Sequence, residues 1–440
     1  MTFTDKMRSH AFWLTDALKG SRVRKHYNDI KLIYENLDSP EVTEKRSKFL
    51  FDLLDHAVRS TRFYERFKKF NALTDFPVVN KNTIRINLND FLSEKYTAEK
   101  LNKSVSSGST GAPFIVFQDM NKRARHHAEN IYISDIIRYH LCMRLYCLKV
   151  RNDLNLMSPL KKWMWNIVMM DSYDLSDKKM HELINQLLAD KSSKSILAFA
   201  STLDILSRFI EKSEVQFLPE KVNSVISIGE TLPDVAKQIL EKSLSCPVIC
   251  RYSNRENGFL AQQCMEDNNE YHLNLASFHF EMLDPELDKP AKPGEPGRIV
   301  VTDLFNYAMP LIRYDTGDMA VLSETSSCGK PGPVFTRIEG RRSDYIYNTS
   351  GSMLSPFFII TLMGKYAEHI KQFQFIQNER EKYVMKINSN GLQPKTAAAM
   401  IEDIKTFVGP GAGIEIEYVD NIPVLDSGKR KMIINNFKTA

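Results

Sequence analysis

The stretch Val222-Asn223-Ser224-Val225-Ile226-Ser227-Ile228 is rich in β-branched apolar residues and runs straight into Gly229-Glu230-Thr231-Leu232. It reads as a buried strand ending in a turn. The same alternation recurs on both sides. Residues 145–150 and 196–200 read as strands, and 203–209 begins the helix that leads back to Val222. Beyond the turn, 233–240 reads as a helix, and Val248-Ile249-Cys250 is a further strand entering a polar turn. Upstream, Phe114-Ile115-Val116-Phe117 reads as a strand and 121–139 as a helix. Strands and helices in this alternation predict an α/β core, and open α/β sheets hold their ligands at the strand-end turns.

The flanks differ from this core. Residues 1–75 read as mainly helical, with Ile33, Leu37, Phe49, Leu50, Leu53 and Leu54 at helix-like gaps, until Pro77 breaks the pattern. From Gly258 the period shifts towards two. Phe278-His279-Phe280-Glu281-Met282-Leu283 and Arg298-Ile299-Val300-Val301-Thr302 read as strands, punctuated by Gly294, Pro296 and Gly297. In the last hundred residues, strands at 373–376, 383–387 and 414–419 accompany a helix at 395–407 behind Pro394. The expected fold is α/β: a large multi-sheet N-terminal domain over 1–341 and a small, mobile C-terminal α+β domain over 342–440. The first divides into a helical part (1–75), an α/β core (100–257) and a β-rich part (258–340).

Composition sets the broad class. Over 440 residues, 43% are hydrophobic and 26% charged, which excludes a fibrous or mainly disordered chain. Lys and Arg number 59 against 54 Asp and Glu, and this +5 balance is too weak to argue for nucleic-acid binding. Cys142, Cys147, Cys246, Cys250, Cys264 and Cys328 are too few and too scattered for a disulfide scaffold, and suit a reducing cytoplasm. Residues 1–14 mix charges with apolar side chains and do not resemble a secretory signal. No apolar run is long enough to predict a transmembrane segment. The short aromatic run at 163–170 reads as a core or pocket wall, with association at a membrane surface as the alternative.

The strongest local signal is Ser106-Ser107-Gly108-Ser109-Thr110-Gly111-Ala112-Pro113. Two glycines allow close backbone approach, and hydroxyls beside backbone N–H groups can surround phosphate oxygens. On residues alone, a plain turn and a phosphate cradle stay equally open. The loop lacks the Gly-Lys-Ser/Thr of a P-loop. The chain shows neither the kinase His-Arg-Asp and Asp-Phe-Gly set nor a Gly-x-Ser-x-Gly elbow. A strand follows the loop, where a Rossmann fingerprint would open a helix.

Taken together, several segments resemble the adenylate-forming superfamily, in its phenylacetate–CoA ligase-like and CapK-like capsular polysaccharide biosynthesis branch. They are Phe63-Tyr64-Glu65-Arg66-Phe67, Phe76-Pro77 with Lys81, the 106–113 loop, Ala200-Ser201-Thr202-Leu203 and the Gly229 turn. Further along come Tyr252-Ser253-Asn254-Arg255-Glu256, Pro310-Leu311-Ile312-Arg313-Tyr314-Asp315-Thr316-Gly317-Asp318, Gly340-Arg341-Arg342-Ser343-Asp344 and Asp426-Ser427-Gly428-Lys429. They occur in the family's order over most of the chain.

This resemblance implies an ATP-dependent, AMP-forming carboxylate ligase. A small-molecule carboxylate would be adenylated, then passed to a thiol, with coenzyme A the expected acceptor, or to an amine in surface-polysaccharide assembly. A catalytically reduced nucleotide-binding homologue is the remaining option. Ser107, Ser109 and Thr110, with Ser106, Gly108 and Gly111 around them, would hold the β- and γ-phosphates. Gly229 and Glu230 join the nucleotide-binding set, Tyr252 packs against adenine, Asp318 accepts the ribose hydroxyls and Arg341 contacts the nucleotide. Glu256 is the implied Mg²⁺ ligand and Lys429 the mobile catalytic lysine, on a C-terminal domain hinged near 342–344. A homo-oligomer stays open.

Two positions depart from the pattern. Arg255 replaces the Thr or Ser beside Glu256. It either contacts the α-phosphate, reads a second anionic group on the substrate, or marks reduced activity. Ser253 replaces Gly, which costs little only at negative φ. Cys250, Cys264, His272 and Cys328 form a candidate Cys₃His set for structural Zn²⁺, with Ser326 where related proteins carry a further Cys. Their irregular spacing leaves buried free thiols as the alternative.

Overall fold

The computed structural model describes residues 2–106, 114–149, 158–171, 176–213, 222–266, 270–389, 391–423 and 430–437. Three helices come first: α1 (Phe3–Leu18), α2 (Arg22–Glu35) and α3 (Pro40–Ser60). Each start has a local cause. Thr2 and Asp5 form a capping box on α1, and the Ser39 hydroxyl caps α3 ahead of Pro40. The 76–79 stretch is extended and forms a parallel bridge, Val79 to Tyr314, before the short α4 (Lys81–Ile86).

A hairpin follows, of β1 (Asn102–Ser106) and β2 (Phe114–Gln118), whose register pairs Ser106 with Phe114. The 107–113 part of the Ser/Gly-rich segment lies outside the described residues. Then come α5 (Met120–Ile136), β3 (Arg144–Lys149), α6 (Pro159–Trp165), β4 (Ile167–Asp171), α7 (Asp177–Ala189), β5 (Lys194–Phe199), α8 (Ala200–Ser213), β6 (Val222–Ile228), α9 (Asp234–Leu244) and β7 (Val248–Asn254). The expected strand over 222–228 is therefore β6, to the residue. The helix expected over 121–139 stops at Ile136, because the chain turns through a left-handed Arg138.

The β-rich part contributes β8 (Gly258–Gln263), β9 (Tyr271–Leu273), β10 (Phe278–Leu283), β11 (Pro296–Asp303), β12 (Tyr314–Ser323) and β13 (Val334–Arg341). All but the hairpin join one eleven-stranded sheet, in the order β10-β11-β12-β13-β9-β8-β7-β6-β5-β3-β4. The segment from β4 to β7 is parallel and the rest antiparallel. Parallel strands need both faces covered. Val225 and Ile226 are accordingly buried on opposite faces of β6, one against α8 and α9 residues and the other beside Ile137 and Ile249. Truncating Ile226 to Ala removes about 2–5 kcal/mol.

The aromatic run at 163–170 bears out the core reading in part: Trp165, Val168 and Met170 are partly buried and pack against the core clusters. It is the end of α6 and the edge strand β4, and Trp163 is well exposed.

After Arg341 a 3₁₀ turn, Arg342–Asp344, leads out of the large sheet. Beyond it lie β14 (Ile346–Tyr347), β15 (Met353–Leu354), α10 (Pro356–Gly364), β16 (Ile370–Glu379), β17 (Lys382–Ser389), α11 (Pro394–Val408), β18 (Gly413–Tyr418) and β19 (Ile433–Asn435). The four longer strands form their own sheet, β18-β17-β16-β19, and Met400, Ile404 and Val408 of α11 enter a separate core with Phe375 and Met385. Among the described residues, no helix is long and apolar enough to cross a membrane.

Candidate functional site

The nucleotide-side residues cluster where β7, β12 and β13 run side by side or approach each other. The Tyr252 hydroxyl donates to Asp318 Oδ2 at 2.7 Å, and Arg341 Nε lies 3.2 Å from Asp318 Oδ1. Strand pairing sets this geometry, because Asp318 and Arg341 are register partners across β12 and β13. Burial, followed by the Asp318 charge, raises the Tyr252 phenol well above its usual range, so it donates. The Asp318 charge likewise raises Arg341. The cluster is a carboxylate held by one phenol and one guanidinium.

The rest of the Pro310–Asp318 motif is scaffolding. Arg313 has a positive φ of 50°, costly for a residue with a Cβ. Its guanidinium holds that turn by pairing with Glu281 at 2.9 Å and donating to the Phe76 carbonyl at 2.8 Å. Asp315 accepts from the Gly317 N–H and pairs with Arg298.

Glu256 forms the second centre. Its side chain is buried, and Lys81 Nζ lies 2.6 Å from Oε1. Lys81 also sits over the Phe114 ring, 5.6 Å from its centroid. Both strands of the β1–β2 hairpin are stapled to this turn. Ser104 Oγ donates to the Arg255 carbonyl at 2.6 Å, and Gln118 Nε2 donates to the Glu256 carbonyl at 3.2 Å. The hairpin strands that flank the 107–113 segment are thereby held against the Arg255–Glu256 turn. The Arg255 side chain is exposed. Ser253 lies within β7 and is not among the residues with positive φ, so its Cβ brings no strain.

The third centre links the two parts of the chain. Gly229, at φ 85°, ends β6 and turns the backbone towards Glu230. Glu230 Oε2 accepts from the Ser201 N–H at 3.2 Å, and Oε1 accepts from the Arg430 N–H at 2.6 Å. Arg208 of α8 adds to this contact by donating to the Ala367 carbonyl at 3.1 Å. Lys429 itself, with 426–428, lies outside the described residues, as do Ser107, Gly108, Ser109, Thr110 and Gly111. Its neighbour Arg430 is held at the carboxyl ends of the parallel strands.

Three comparisons bear on this geometry. Residues 346–436 match the family model of the CapK C-terminal domain. Protein CapK of Staphylococcus aureus is 22% identical over 444 aligned residues, covering 96% of this chain and 94% of that protein. The chain is thus similar to CapK over nearly its whole length, and its fold is that of the solved adenylate-forming ligases. A phenylacetate–coenzyme A ligase of Thermus thermophilus is 34% identical over 88 residues, 20% of each chain. Among solved structures, 2-hydroxyisobutyryl-CoA ligase in its post-adenylation state with 2-HIB-AMP superposes with a TM-score of 0.68 at 16% identity, over 89% of this chain and 90% of that one. The same ligase in its thioesterification state scores 0.54 at 18% identity, over 90% of each chain. The superposition is therefore better on the post-adenylation form of that ligase than on its thioesterification form.

The candidate zinc set is brought together in part. Ligand atoms of Cys264, His272 and Cys328 all lie within 4.8 Å of one another, with Cys328 Sγ 3.3 Å from His272 Nε2. Cys250 is not part of this group. It points into the core cluster with Leu244, Cys246 and Val248, and its thiol interacts with Tyr271 and Ser227. Burial lowers His272, which favours the neutral, ligating imidazole. Burial raises the Cys264 thiol; at Cys328 that push is outweighed by the Ser326 hydroxyl and neighbouring donors, which lower it. Two thiols and one imidazole suit Zn²⁺, and Ser326 Oγ lies 3.0 Å from Cys328 Sγ.

Sequence reasoning used Lys81 only as part of a family motif and gave it no role. Its signal is indirect: an extended apolar stretch bound along β12 sets a Lys in the first turn of α4, facing Glu256.

Proposed function

We propose that this chain is an ATP- and Mg²⁺-dependent, AMP-forming carboxylate ligase. The observation that carries the reading is the bond from the Arg430 N–H to Glu230, which holds the residue next to Lys429 at the strand ends. The reaction needs fixed positive charge more than a general base, because an anionic carboxylate must approach a crowded α-phosphate. The carboxylate oxygen bonds to the α-phosphorus, and the bond from that phosphorus to pyrophosphate breaks.

In this reading Asp318 accepts the ribose hydroxyls, while Tyr252 and Arg341 keep its oxygens oriented. The loop at 107–111 surrounds the β- and γ-phosphates, and Lys429 neutralises the α-phosphate and bridging oxygens. Glu256 would hold Mg²⁺, which neutralises phosphate charge when bound; a buried hard carboxylate suits that ion. Lys81, beside Glu256, adds fixed charge on the phosphate side. Cys264, His272 and Cys328 would hold a structural zinc.

The acyl group then passes to coenzyme A as the thiol attacks the acyl carbonyl and AMP leaves. A second reading transfers it to an amine. Similarity to CapK along nearly the whole chain supports that option. The test is carboxylate-dependent exchange of labelled pyrophosphate into ATP, followed by AMP release with coenzyme A or an amine. Lys429→Ala should abolish the exchange but spare transfer from a supplied acyl adenylate. Fast exchange in that variant would refute the role of Lys429.

A further inference from the structure

Helix α1 packs Phe12 and Trp13 against the core, yet carries a second apolar stripe on its outer side. Phe3, Met7, Leu14 and Leu18 are all more than half exposed, and Leu18 reaches 82%. At about 100° per residue these four fall within an arc of roughly 60° on the outer side of the helix. The residues turned inward include the only two acids of the helix. Asp5 is buried, closes the N-terminal capping box and accepts from Asn166 Nδ2 at 3.0 Å. Asp16 is buried and accepts from the Val23 and Arg24 N–H groups at the start of α2. Both carboxylates are thus consumed as caps.

The exposed charge left on α1 is basic, Lys6 on one flank of the apolar arc, and the exposed Lys19 caps the C-terminal end of the helix. Helix α6 extends the surface. Its C-cap is Asn166, the residue that binds Asp5; the Arg8 guanidinium lies 5.1 Å over the Trp163 ring, and Phe12 and Trp165 meet at 5.3 Å. Leu160 and Trp163 are more than half exposed, Lys161 is exposed and Lys162 partly so, and α6 has no acid.

We propose that the joined outer faces of α1 and α6 form a docking surface for an anionic lipid bilayer. The chemistry matches on three counts. An apolar stripe enters the headgroup boundary, a Trp sits where one ring edge is wet, and long lysine stems keep their charges at the lipid phosphates. A second copy of the chain is disfavoured, because an isologous contact brings Lys6, Lys161 and Lys162 against their own like charges. The 163–170 run thus contributes through its exposed end, and the surface is separate from the nucleotide cluster.

The experiment is co-sedimentation of the full chain with phosphatidylcholine vesicles, with and without phosphatidylglycerol. Binding should require phosphatidylglycerol, weaken as salt rises, and fall roughly fivefold for each lysine removed in Lys6→Gln, Lys161→Gln and Lys162→Gln. A Leu14→Ser/Leu18→Ser/Trp163→Ser variant should lose binding while keeping its melting temperature and its affinity for ATP. All six positions are surface ones, so folding is preserved. Equal binding to both vesicle types, or none to either, overturns the proposal. So does a wild-type dimer that the apolar variant dissociates without any vesicle binding, which would assign the face to a second copy.

Discussion

Replacing Asp318 with Asn separates nucleotide recognition from stability. The carboxylate accepts from Tyr252 at 2.7 Å and pairs with Arg341 at 3.2 Å, and it is 9% exposed. Asn keeps the shape and one acceptor oxygen, so the Tyr252 hydroxyl retains a partner. The Arg341 side chain is 37% exposed, so losing that pair costs the fold about 1 kcal/mol or less. The ribose loses more. One hydrogen bond to a charged acceptor becomes a bond to a neutral one and the other ribose hydroxyl meets an amide NH2 instead of an acceptor, a loss of roughly 1–1.5 kcal/mol each. The sum, about 2–3 kcal/mol, is a drop of roughly 30- to 150-fold in ATP affinity. Titration calorimetry with ATP and Mg²⁺ reads the affinity, and thermal melting without nucleotide reads the fold. An affinity within threefold of wild type, with the melting temperature unchanged, would refute the assignment of Asp318 to the ribose.

Lys81→Met removes the 2.6 Å ion pair from the buried Glu256 carboxylate, and the ligand-free protein should lose up to about 3–5 kcal/mol. Millimolar Mg²⁺ should restore part of this in melting curves, and no response to the ion would count against Glu256 as its ligand. His127 supplies a pH dependence. Burial, followed by the His126 charge, lowers its pKa to about 4. Between about 6.5 and 4 the unfolded chain takes up a proton that the folded chain refuses, so stability falls as the pH drops. At pH 5 the loss is about 2 kcal/mol at most, and His127→Phe should flatten that part of the stability profile. Protein purified without added metal should hold close to one zinc per chain. Cys264→Ser or Cys328→Ser should remove it and Cys250→Ser should not, as read by elemental analysis; near-zero zinc in the wild type rejects the site.

The elements most legible in the sequence are those fixed by local pattern. β6 and β10 begin and end where the residues say, because β-branched or alternating apolar runs stop at polar or Gly turns. Tyr252, Asp318 and Arg341 were named together only through the resemblance to a family, and in the structure the pairing of β12 with β13 joins two of the three. Features that depend on tertiary placement were not legible. The run at 163–170 has a core-like composition, yet it ends as an exposed helix turn and an edge strand, because β4 is the last strand of the sheet. Cys250 has the right chemistry for zinc but points into the core under α9. The ion pair of Lys81 with Glu256 joins residues far apart in sequence, and no local pattern announces it.

The most direct test of the central claim is pyrophosphate–ATP exchange, with Mg²⁺, no acceptor, and a panel of aryl, fatty, amino and sugar acids. Exchange should depend on one class of acid and disappear in Lys429→Ala. No exchange with any acid, together with no binding of ATP, would contradict it.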